Sequence, residues 1–186
     1  MSRLSVVNFI TLNGYFEGPG RDISWHPHDT EGSDFSMEGL NTGNTLLFGR
    51  VTYEIMTAFW PTSVAMDMLP AMAEAMNLAN KVVFSRTLEK ATWNNTRLVR
   101  NNMITEIKAM KLRDEKDMTI LGSGSIITQC ADHGLIDEYQ IMIDPVAIGN
   151  GTPMLKGIKH KLNLKLNTVR TFVSGAVLLT YRRAAV

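Results

Sequence analysis

Three short clusters in this sequence carry the residue types that hold anions: Gly49-Arg50-Val51-Thr52, Ser85-Arg86-Thr87 and Gly122-Ser123-Gly124-Ser125. Each follows a short apolar run, 44–48, 81–84 and 118–121, of strand length and composition. Glycines at 122 and 124 permit positive φ and leave no Cβ to keep a ligand off the backbone. Ser123 or Ser125 would cap the helix that follows, whose first N–H groups and dipole then face an anion. Arg50 and Thr52 make a second helix start that offers a guanidinium and a hydroxyl as well as amides. A lone Gly-Ser-Gly-Ser turn is as often structural, and the dinucleotide fingerprint is incomplete because Ile127 holds its third glycine position. Three such strand ends on one sheet edge would hold a ligand with several phosphates.

Other candidates lie in the loops. Asn13-Gly14 and Gly18-Pro19-Gly20 make a mobile loop after the first strand, Leu4 to Ile10, where ligands sit in open α/β sheets. His26-Pro27-His28-Asp29 contains metal-ligating types, but no Cys or His cluster elsewhere completes a set, so it reads as a polar loop and no metal is expected. Asp34 and Glu38 are the acids on the first helix, expected over 34–41. Cys130 is the single cysteine, which excludes an internal disulfide and suits a reducing cytoplasm.

These residues need a scaffold, and 186 residues suffice for one domain spanning 1–186. A net charge of +1 supplies no basic field for nucleic acid, and no apolar run is long enough to span a bilayer. After Asn44–Phe48 a helix opens at Gly49 and breaks at Phe59-Trp60-Pro61, and helical spacing resumes over 65–77 with Ala65, Leu69, Met72 and Met76 on one core-facing stripe, Pro70 marking where the regular helix begins. A strand at 97–99, a helix marked by Ile104, Ile107 and Leu112, a helix over 126–133 and a strand over 137–143 follow. Gly149-Asn150-Gly151-Thr152-Pro153 reads as loop, and 162–171 with 176–182 as an antiparallel pair around Ser174-Gly175. Alternating strands and helices closed by a hairpin predict a three-layer α/β/α fold on a mostly parallel sheet.

The segments Thr11-Leu12-Asn13-Gly14-Tyr15, Leu47 to Glu54, Val83 to Leu88, Ile120 to Ile126, Leu135 to Tyr139 and Pro145 to Gly151, taken in this order, resemble the dihydrofolate reductase-like superfamily. Within it the resemblance is to the reductase domain of the riboflavin-biosynthesis deaminase-reductase and its stand-alone bacterial relatives. That resemblance implies an NADPH-dependent reductase of a pteridine-like or (ribosylamino)pyrimidine-like heterocycle. It implies adenosine phosphates held by Gly49, Arg50, Thr52, Ser85, Arg86 and Thr87, and a pyrophosphate held by Gly122, Ser123, Gly124 and Ser125. Asn13 and Gly14 would lie near the nicotinamide. It makes Asp34 the proton-donor candidate, with Glu38 competing, and suggests a homodimer paired through the terminal hairpin. Folate enzymes place a threonine where this chain has Ile141, so a smaller heterocycle is expected.

Two other readings stay open. Asp144 follows Gly124 at about the twenty-residue spacing of a ribose-binding acid in a Rossmann dehydrogenase, although the turn comes late for that fold. A nucleotide-binding module of the same fold without turnover is the non-enzymatic alternative.

Overall fold

The computed structural model describes residues 1–27, 30–113 and 115–184; His28 and Asp29 of the His-Pro-His-Asp loop lie outside them. The chain runs β1 (Leu4–Thr11), β2 (Tyr15–Glu17), a 3-10 turn at Pro19–Arg21, α1 (Thr30–Asn41), β3 (Thr45–Gly49), α2 (Arg50–Phe59), α3 (Ser63–Met68) and α4 (Pro70–Leu78). It continues through β4 (Lys81–Phe84), β5 (Thr96–Val99), α5 (Met103–Arg113), β6 (Met118–Leu121) and α6 (Gly124–Asp132). The last elements are β7 (Glu138–Asp144), β8 (Thr152–Pro153), β9 (Leu164–Thr171) and β10 (Val177–Arg183).

One eight-stranded sheet has the order β5-β4-β3-β6-β1-β7-β10-β9. The first six strands are parallel, and β10 runs antiparallel to both β7 and β9. Strands covered on both faces read as unbroken apolar runs, and β3 and β4 do so because Leu47, Phe48 and Val83 are wholly buried. On one face α5 and α6 set Ile107, Ile126, Ile127 and Cys130 against Leu4, Val6, Leu47 and Ile120. On the other, Tyr53 and Met76 pack with Leu46, Phe48, Val83 and Trp93, joined by Leu40 of α1. Phe35 of α1 covers Phe9, Met142, Phe172 and Leu178 further along that face.

This topology dictates where a ligand goes. β1 leaves for β3 through α1 on one face, and β6 leaves for β7 through α6 on the other, yet β1 and β6 are neighbours. Connections that diverge to opposite faces leave a crevice outside the carboxyl ends of such a pair.

The helical stretch over 65–77 is two helices, the second opening at Pro70, where the regular helix is expected to begin. Leu69 takes φ −139° and ψ 60° because the ring of Pro70 bars the residue before it from the helical region. The stripe still faces the core, with Ala65 and Met76 buried. The first helix starts at Thr30, ahead of the expected Asp34. The loops after β1 and β7, expected to be free, pair as β2 and β8. Their strand signal is masked by Gly14, Gly18 and Gly149-Asn150-Gly151, and each has its partner more than a hundred residues away.

Lys81 is a buried cation with a structural task. Its Nζ donates to the carbonyls of Met76 (2.8 Å), Asn77 (3.2 Å) and Ala79 (2.6 Å), which close α4, and it lies 4.5 Å from the Trp93 ring centroid. A cation at a helix C-terminus meets the negative end of the dipole and satisfies its orphan carbonyls. Burial pulls the ammonium down to about 8. No helix among the described residues is long and apolar enough to cross a membrane.

Candidate active site

β4, β3 and β6 lie side by side and parallel, Leu47 pairing with both Val82 and Ile120, so their carboxyl ends emerge together. The three anion-holding clusters therefore share one sheet edge. α2 and α6 begin at the neighbouring ends of β3 and β6, and neither start has a side-chain cap. In α6 the amides of Ile126 and Ile127 both donate to the Ser123 carbonyl, at 2.8 and 3.1 Å. The amides of Gly124 and Ser125 have no partner among the described residues. Two uncapped helix starts facing one space leave donors and positive dipole ends for an anion.

Ser123 does not cap the helix, contrary to the expectation from sequence. It sits in the left-handed region at φ 61°, ψ 61°, and its Oγ donates to Thr52 Oγ1 (2.8 Å) while accepting from the Gly49 amide (2.8 Å). That geometry turns its hydroxyl away from the amides of its own helix and makes it a brace between the β3–α2 and β6–α6 turns. A non-glycine residue held there costs about 1–3 kcal/mol, a strain characteristic of functional turns. Ser125 is exposed, as are Arg50, Arg86 and Thr87. Arg50 pairs with Glu54 (2.9 Å), whereas Arg86 has no hydrogen-bond or ion-pair partner among the described residues. Ser85 Oγ accepts from the amides of Thr87 (3.1 Å) and Leu88 (2.9 Å), which shapes the turn that projects Arg86.

The glycines divide their labour. Gly122 has φ 55°, and a Cβ there would stand 3.5 Å from Thr52. Gly124 makes room for a side chain: a Cβ would come within 2.9 Å of the Phe16 ring, which β2 lays against the start of α6. Gly14 has φ 88° and open space around it. The Asn13 side chain works as a tie, with Oδ1 accepting from Thr11 Oγ1 (2.8 Å) and the Ile148 amide (3.3 Å) and Nδ2 donating to the Ile148 carbonyl (2.8 Å). It locks the loop after β1 to the loop after β7.

α1 carries the two acids expected from the sequence. Asp34 is exposed, and Glu38, also exposed, pairs with Arg170 at 3.0 Å. Cys130 is no nucleophile, since burial pushes its thiol up to about 12. Among the described residues no group of His, Cys, Asp and Glu could hold a metal ion.

A pair invisible in the sequence stands at the same sheet edge. His26 Nδ1 lies 2.7 Å from Asp144 Oδ2, joining residues 118 positions apart. Asp144 ends β7, paired in register with Thr11 at the end of β1. Asp144 is wholly buried, and its Oδ1 has no hydrogen-bond partner among the described residues. An unmet buried acceptor costs about 1–3 kcal/mol. The sequence offers His26 within a loop of metal-ligating types and Asp144 at the spacing of a ribose-binding acid, and neither reading pairs the two. A cavity of about 350 Å³ lined by Thr57, Pro61, Asn77, Thr92, Trp93 and Asn94 shares no residue with these clusters and has no titratable lining.

The sheet order, the antiparallel hairpin and the strand-end turns define a protein of the dihydrofolate reductase-like fold. The chain belongs to the family of RibD C-terminal domains, whose family model matches residues 3–178. It is 31% identical to YyaP of Bacillus subtilis over 174 residues, covering 92% of this chain and 90% of YyaP. A structure from Shewanella sp. PV-4 ascribed to riboflavin biosynthesis superposes with a TM-score of 0.74 at 19% identity, over 100% of both chains. The diaminohydroxyphosphoribosylaminopyrimidine deaminase/5-amino-6-(5-phosphoribosylamino)uracil reductase of Thermotoga maritima matches with a TM-score of 0.68 at 14% identity, over 98% of this chain and 57% of that one. The family is the reductase domain of the riboflavin pathway, and the Rossmann reading of Asp144 falls with this assignment.

Proposed function

We propose that this protein is a cytoplasmic NADPH-dependent reductase of a small pteridine-like or (ribosylamino)pyrimidine-like heterocycle. The observation that carries the reading is the pair of uncapped helix starts, α2 and α6, side by side at the edge where β4 delivers an unpartnered Arg86. The amides of Gly124 and Ser125 would hold the pyrophosphate, and Arg86, with Arg50 beside it, the adenosine phosphate. When bound, NADPH supplies a hydride. Gly14, in open space, and the Asn13 tie keep the loop beyond β1 shaped to cover that region. RibD-family membership supports a reductase, and the absence of a folate-type threonine at Ile141 supports a smaller ring than folate.

The same reading includes a homodimer. β9 is an eight-residue edge strand exposed along nearly all its length, with Leu166 48% and Val169 53% exposed. An exposed edge strand offers unpaired backbone groups to a second chain.

The test is an NADPH-oxidation screen with dihydrofolate, a dihydropterin and 5-amino-6-(5-phosphoribosylamino)uracil. Turnover of one of the smaller rings well above dihydrofolate is expected. NADPH binding without oxidation in the presence of any of them would favour the non-catalytic nucleotide-binding module.

A further inference from the structure

Reduction of a C=N or C=O group needs more than a hydride, because the nitrogen or oxygen left with the electron pair must take a proton. The acids of α1 are exposed and Glu38 is paired with Arg170, whereas another candidate donor stands mostly buried at the strand ends. We infer that His26 delivers the proton and that Asp144 is the positioning residue that orients the imidazole; this rests on the reductase reading above.

Four observations converge. Asp144 and Thr11 close the adjacent parallel strands β7 and β1, and β6, the strand on the other side of β1, ends in the Gly122–Ser125 turn. The pair thus flanks the crevice that the topology opens between β1 and β6. The imidazole is also held rigidly. It stacks on Phe9 at 3.8 Å with the rings 3° from parallel, and Trp25 meets both rings edge-on, at 5.7 Å from Phe9 and 6.3 Å from the imidazole. Trp25 is fixed in turn by its Nε1 donating to the Asp22 carbonyl at 3.1 Å. Third, the His26 side chain keeps 13% of its surface open while Asp144 keeps none, so the imidazole is the member a ligand can reach. Fourth, a brace that served only to pin the loop would be expected to satisfy both carboxylate oxygens, yet Oδ1 is buried and bare. Buried polar groups left unmatched in native structures call for a functional account.

Imidazole is the side chain whose ordinary titration spans neutral pH, and a carboxylate on one ring nitrogen fixes how the ring is presented. The step balances with groups already named. As a hydride reaches the carbon of C=N the π pair goes to nitrogen, and the His26 imidazolium would give that nitrogen its proton; NADPH held at the phosphate turns would be the hydride source. NADP⁺ and the amine leave, and water re-protonates the imidazole. Positioned acids of this kind contribute about 10²–10⁴-fold to rate.

The experiment uses the full chain and whichever of the three heterocycles the wild type reduces fastest. His26→Gln and Asp144→Asn are expected to lower kcat by about a hundredfold or more with KM changed less than about threefold. NADPH affinity by fluorescence titration should be unchanged, since the pair lies apart from the phosphate turns. In His26→Ala, free imidazole should restore turnover in proportion to its concentration, a response that a merely structural role would not give. Retained kcat in His26→Gln overturns the inference and leaves the reductase reading standing. Lost kcat with altered circular dichroism in every variant and no imidazole rescue also overturns it, making the pair a structural brace. Wild type that reduces none of the three removes the reductase reading first, and this inference with it.

Discussion

At the residue scale the two arginines have different freedom. Arg50 is committed to Glu54, while Arg86 projects from its serine-shaped turn without a partner. Arg86→Ala should therefore weaken NADPH about ten- to a hundred-fold, the worth of one charge-assisted contact, and leave NADH almost unchanged in a fluorescence titration. Equal losses for both cofactors would place Arg86 away from the 2′-phosphate. Cys130 gives a pH prediction. Its folded value of about 12 lies above the ordinary 9.0, so the unfolded chain surrenders the proton first and stability is lost as pH rises between those values. At pH about 10 wild type should lose about 1 kcal/mol relative to Cys130→Ala, compared with the same difference at pH 7, by urea unfolding. Lys81 titrates in the opposite sense, with a folded value of about 8 below 10.5, and holds three carbonyls. Lys81→Met should cost about 1–3 kcal/mol at neutral pH through those unmet acceptors.

At the element scale, what was legible in the sequence is what local pattern encodes. The strands entering Gly49, Ser85 and Gly122 were readable because a parallel strand buried on both faces is an apolar run that stops at its turn. The hairpin around Ser174-Gly175 was readable because its strands alternate, and Gly175 does take φ 85°. Ser123, one of the two serines expected to cap α6, instead bonds Thr52 in another turn, 71 residues away. β2 and β8 and the His26–Asp144 pair were hidden for the same reason: each half is unremarkable until the fold brings its partner. Gly122→Ala, forcing a Cβ into the left-handed region, should cost about 1–2 kcal/mol yet leave folded protein with impaired NADPH binding, checked by thermal melting and titration. Gly151→Ala should do something different. Its Cβ would collide with the Glu17 carbonyl and the Tyr15 ring, so β8 must part from β2, and amide exchange at residues 15–17 should quicken.

At the scale of the whole molecule, the sheet ends on one side in β9, a strand exposed along nearly all its length. β9 should pair there, giving a dimer mass by light scattering at micromolar concentration, and Val169→Lys should shift that mass toward the monomer. The other consequence concerns β1, the central strand, flanked by β6 and β7 and so without either neighbour until residues 118–144 exist. A ribosome adding about 5–20 residues each second needs roughly 7–27 s to travel from Thr11 to Asp144. Until β6 emerges, Val6, Val7, Phe9 and Ile10 stand on a nascent chain with nowhere to pair. β1 thus waits through more of synthesis for its first neighbour than any other strand of the eight-stranded sheet, and the birth of this protein, more than its finished stability, is where its apolar residues stand open to the wrong partner.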